Sequence, residues 1–272
     1  MPDGEAYEDR RNAQGDAMSI ADGYGDDWIA AATHVRDFSC DAVFLIDDGR
    51  FIVSGGDLSD DERERLSEPL REFGLASPAH THLSTGDLLD RETHLARYYE
   101  QLIAIASAHG KAQEVQTGGF PHFAVKPAFI AAGQDLTSFV WIDWIAETVE
   151  ALEALAASRD LVQREVWDYL DQGWAVRIVS RGEMTYLLEW NWEDDEDKLA
   201  GYGFATDELA RQAAAALERL SIIHRRLIEL MGHDYWTYIR PPAETRARVT
   251  PSAFGRKVLS LIGLPHAKRR SR

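Results

Sequence analysis

Apolar positions fall along this chain in two rhythms, one of three and four residues and one of two, and these rhythms predict its elements. Ser59-Asp-Asp-Glu62 has the spacing of a capping box, which predicts a helix ending near Gly74 with Pro69 as a distortion inside it. Between Asp87 and His109, Leu88, Leu95, Tyr99, Leu102 and Ala106 recur at helical intervals, and Gly110 closes the run. From about Asp135 to Ala157 one stripe is formed by Trp141, Ile145, Val149, Leu152 and Leu155. Leu136, Val140 and Trp144 widen it, and so broad a stripe predicts a central helix. A shorter helix is expected over Leu161 to Leu170. The longest line, Leu209, Ala213, Leu217, Leu220, Ile223, Leu227 and Leu230, predicts a helix capped by Thr206, running to Met231 and stopped by Gly232.

The strand rhythm is briefer. Asp41 to Ile46, then Asp47-Asp48-Gly49, then Arg50 to Val53 predicts a hairpin, and Trp174 to Val179 with Thr185 to Trp192 around Ser180–Glu183 predicts a clearer one. The stretch from Lys111 to Gly133, with Gly118, Gly119, Pro121 and Pro127, is assigned mostly to loop, and Gly201-Tyr-Gly203 to a turn. No regular strand–helix alternation is present. The fold class expected is therefore α+β, mainly helical, with long amphipathic helices packed with two short β-hairpins.

Composition sharpens the boundaries. With 272 residues, 45% apolar content, ten Phe, nine Tyr and eight Trp, the chain can build a substantial core. Residues 1–27 are rich in Gly, Asp and Ala without apolar periodicity and are read as a flexible acidic arm, 28–240 as a compact domain, and 241–272 as a basic tail with a short helix. The start of the chain is acidic where a secretory signal is basic and then apolar. The longest apolar window, Leu136 to Leu155, carries Asp143, Glu147, Glu150 and Glu153, too many charges for a membrane span. Both features point to the cytoplasm. Cys40 is the one cysteine, so an intrachain disulfide and thiolate zinc sites are ruled out.

Charge then changes the picture of partners. The net charge is −17, yet residues 1–75 hold 19 acids against 7 bases while residues 240–272 hold 9 bases against 1 acid. An acidic body repels phosphate backbones, which argues against direct nucleic-acid binding by the core and for a basic protein partner. One segment suits such a partner. Trp190-Asn-Trp192 runs into Glu193, Asp194, Asp195, Glu196 and Asp197, and an aromatic pair beside five acids offers cation–π and ionic contacts to Arg and Lys. The bland alternative is two core tryptophans and a solvated acidic loop.

A second grouping, His80-Thr-His82 with Asp87, Asp90 and His94, has the chemistry of a metal site. Two histidines at i and i+2 of an extended segment share a side, and Asp87, Asp90 and His94 share one face of the expected helix. Imidazole and carboxylate suit a divalent transition metal that activates water. The run His80-Thr-His82-Leu-Ser84-Thr-Gly-Asp87 resembles, over eight residues, the metal motif of JAB/MPN metalloproteases, His-x-His-Pro followed by Ser-x-x-Asp, but lacks the proline and most of the spacer. The alternative expectation, from this grouping, is a metal-dependent hydrolase built on His80, His82 and Asp87, with His94 as a further ligand. Against it, aspartates in a first turn offset the helix dipole and histidines in a polar loop need no special reason. The leading expectation is a non-enzymatic, acidic binding protein without a cofactor, like an inhibitor, immunity or antitoxin protein that covers a basic partner.

Overall fold

The computed structural model describes residues 27–46, 58–76, 81–113, 122–137, 145–160, 163–171, 174–191 and 200–237. The expected acidic arm, apart from Asp27, and the basic tail lie outside them. The fold is α+β, as expected, but its β part consists of two sheets rather than two short hairpins. In chain order the elements are α1 (Asp27–Ala31), β1 (Thr33–His34), β2 (Phe38–Ile46), α2 (Asp60–Leu70), β3 (Thr81–Ser84), α3 (Thr85–Leu88), α4 (Glu92–Ala108), β4 (Val125–Ala131) and β5 (Gln134–Asp135). They continue with α5 (Ile145–Ala156), β6 (Gln163–Asp171), β7 (Trp174–Arg181), β8 (Met184–Asn191), β9 (Ala200–Ala205) and α6 (Thr206–Met231). One sheet has the order β1-β9-β8-β7-β6, the other β3-β2-β4-β5.

The strand β2 is the centre of the smaller sheet, antiparallel to both β3 and β4. The expected second arm of its hairpin, Arg50 to Val53, lies outside the described residues. The loop assignment for Lys111 to Gly133 is corrected by β4, which contains Pro127. The ladder explains why a proline is tolerated. The Leu45 N–H donates to Ala124 O at 3.0 Å, and bonded and non-bonded pairs alternate along an antiparallel ladder, so the Ala42–Pro127 pair is a non-bonded one. The nitrogen that cannot donate thus points away from β2, toward a side where β5 pairs only with Ile130 and Ala131.

The larger sheet brings two further corrections. Of the helix expected over Leu161 to Leu170, the described residues, from Gln163 on, form β6 instead, because Val166, Trp167 and Tyr169 favour extended backbone and β7 supplies a partner along the strand. Gly201 and Gly203 are not in a turn but in β9, where the absence of Cβ permits close approach. A Cβ on Gly201 would lie 3.1 Å from the Trp28 ring, and one on Gly203 would lie 3.0 Å from Tyr186.

Local helix signals are met more closely. Ser59 and Glu62 form the capping box reciprocally, and the helix tightens into a 3-10 turn at Arg71–Phe73, two residues beyond Pro69, before left-handed Gly74. Helix α6 ends at left-handed Gly232 as expected. Its start differs: Thr206 lies inside the helix, and its hydroxyl joins Thr185 Oγ1 at 3.0 Å and Gly182 O at 3.2 Å, tying the helix to the β7–β8 turn. The helix expected from Asp135 is described only from Ile145, and Asp135 itself belongs to β5.

Helix α6 packs on β2, α4 and α5 through Leu209, Ala213, Ala216, Leu220, Ile223 and Leu227. Each large aliphatic side chain so buried stabilises the fold by about 1.5–3 kcal/mol. One core runs through both sheets, with Phe204 of β9 touching Phe38 at 4.8 Å and Phe129 at 5.5 Å between ring centroids. After α6 the chain turns inward and buries Trp236 completely, among Phe44, Tyr99 and Phe123.

Candidate functional site

The residues expected to meet a basic partner begin on β8. Trp190 is the penultimate residue of this strand and pairs with Ala175 of β7. Strand alternation puts position 190 on the sheet face shared by Tyr186 and Leu188, opposite the face on which Leu187 enters the main core. Trp192 and the acids Glu193, Asp194, Asp195, Glu196 and Asp197 lie outside the described residues. They belong to the connection from β8 to β9, which are hydrogen-bonded neighbours up to Glu189 and Ala200.

The metal grouping is drawn apart where it is described. His82 is exposed on β3, paired with Leu45. Asp87 is exposed on α3, where its N–H and its carboxylate both engage Ser84 Oγ, at 3.1 and 2.7 Å. This Ser-x-x-Asp is therefore a helix cap, which accounts for its spacing. His94 is half-buried on α4, with Nδ1 buried without a hydrogen-bond partner among the described residues and the ring edge-on to Phe73 at 6.1 Å. The expectation that Asp87, Asp90 and His94 share one helix face is overturned. The helix breaks at Leu89–Arg91, where Asp90 takes a left-handed φ of 66° and its N–H donates to Glu92 Oε1. Among the described residues no three His, Cys, Asp or Glu side chains gather to hold a metal ion. His80 lies outside those residues.

The most elaborate polar arrangement in the described structure was not anticipated from the sequence. Asp41, buried on β2 next to Cys40, accepts from the Ala42 N–H at 2.8 Å, the Gly86 N–H at 3.3 Å and the Thr85 hydroxyl. Arg219 of α6 closes the group, with a guanidinium nitrogen 3.1 Å from Asp41 Oδ1 and its Nε donating to Thr85 Oγ1 at 2.9 Å. Beside it, Gln212 accepts from the Cys40 N–H at 2.6 Å and donates to Phe38 O at 3.1 Å. Both oxygens of Asp41 are thus met by fixed donors, and the group ties α3 and α6 to β2. Burial, and then the Asp41 carboxylate, push the Cys40 thiol up by more than Arg219 lowers it, so it stays protonated and is no nucleophile. A faint signal existed: a charged residue opening the apolar run Ala42-Val43-Phe44. Its partner Arg219, far along the chain, could not be named from spacing.

The architecture defines a two-sheet α+β protein with a helix-anchored smaller sheet and a larger sheet that continues into an acidic connection. No family model, curated protein or solved structure matches this chain. No helix among the described residues is long and apolar enough to cross a membrane.

Proposed function

We propose that the chain is a non-enzymatic acidic binding protein that engages a basic protein partner, in the manner of an inhibitor, immunity or antitoxin protein. The observation that carries this reading is the attachment of the acidic run. Glu193–Asp197 leaves β8 and returns through β9, and each of these strands is hydrogen-bonded on both sides within the larger sheet. Acids anchored at both ends to a sheet lose less freedom on binding than acids on a free arm, so more of the ionic attraction survives as affinity. Opposite fields speed the encounter, and an aromatic anchor at Trp190 or Trp192 then slows dissociation. A cytoplasmic location and the lack of a cofactor go with this reading.

Capture of the partner on the full-length chain, followed by stopped-flow association at rising salt, tests it. The on-rate should fall steeply between low salt and physiological salt, where the Debye length is ~8 Å. Reversing Asp194, Asp195 and Glu196 to Lys should lower the on-rate, and replacing Trp190 or Trp192 should raise the off-rate. A captured partner without net positive charge, or an on-rate indifferent to both salt and charge reversal, would refute the proposal.

A further inference from the structure

We draw no further inference here: the strongest candidate, the side-chain cluster at the end of α6 where Asp234 lies 3.1 Å from His224 Nε2 and accepts from the Trp236 and Thr237 N–H groups at 3.0 Å, is accounted for as the cap of the turn that buries Trp236, and nothing among the described residues points to a ligand for it.

Discussion

Around β2 the chain is held by charge as well as by burial: Asp41 and Arg219 clasp a strand that α6 covers, and Trp236 seals the far end among Phe44, Tyr99 and Phe123. Around β8 the inner face enters the same core through Leu187, but the outer face is covered, among the described residues, by the short α1 through Trp28 and Ile29. The contrast separates two duties. The smaller sheet is fastened from several elements at once, which fixes the fold. Among the described residues the outer face of the larger sheet is held by this one short helix, and a region fastened by so few contacts opens more readily than one fastened from several sides.

Substitutions that break this contrast should rank in a definite order. The largest loss is expected for Trp236→Ala, which empties a fully buried site and should cost about 3–5 kcal/mol in urea denaturation. Trp236→Phe should recover most of it, since the indole N–H makes no hydrogen bond among the described residues. Next comes Arg219→Ala, which strands Asp41 in the interior. The loss should be about 3 kcal/mol, less than for a wholly buried pair because the Arg219 side chain keeps 27% of its exposure. Arg219→Lys should restore only part of this, because a single ammonium does not reproduce the fork that reaches both Asp41 and Thr85.

Trp28→Ala sharpens the comparison from the other side. Trp28 and Trp236 are both buried tryptophans, but Trp28 touches a detached cluster, and its loss should cost about 2 kcal/mol. Hydrogen exchange should show where: protection is expected to fall in α1, β1 and the facing amides of β9, while β2 and α6 keep theirs. Loss spread evenly over both sheets would show that the two regions are fastened alike.

How far this could be read from the residues follows the same division between local and distant causes. The Ser59–Glu62 capping box, the stop at Gly232 and the pairing of β7 with β8 are written in neighbouring residues, and the structure repeats them. The β character of the region around Pro127 depends on β2 lying alongside, and the strand over Gln163–Asp171 on β7, so neither was visible as periodicity. The break at Asp90 is local but weakly signalled, since aspartate enters the left-handed region only occasionally. It separates Asp87 from His94, which together with Asp90 had the spacing of one helix face. The Asp41–Arg219 pair had no signature beyond an acid at the mouth of an apolar strand. As for the acidic run, its composition was legible and its placement between two paired strands was not.

The smallest effect expected belongs to the surface of the smaller sheet's helical cover, where α2 and α4 are stitched by Glu62. This carboxylate accepts from the Ser59 N–H and hydroxyl and lies 2.8 Å from His109 Nε2 at the end of α4. The Ser59 backbone N–H, then its hydroxyl, then His109 bring the Glu62 carboxyl down from 4.5 to about 2. A group whose pKa is lowered by folding contributes stability that is fully present above its unfolded value and is lost as pH falls through the folded one. For Glu62 that window runs from 4.5 down to about 2. Urea midpoints measured across this range should therefore decline toward acid with a slope that Glu62→Gln makes shallower. Ser59→Ala should flatten it less, because the first of the three causes is a backbone N–H that alanine still supplies. If instead Ser59→Ala and Glu62→Gln flatten the decline equally, the hydroxyl rather than the backbone holds the carboxylate. If neither does, the acid response of the fold is carried by other carboxylates, with Asp234 the first to test: burial raises its pKa, but hydrogen bonds from His224 and Thr237 hold it far below the usual range.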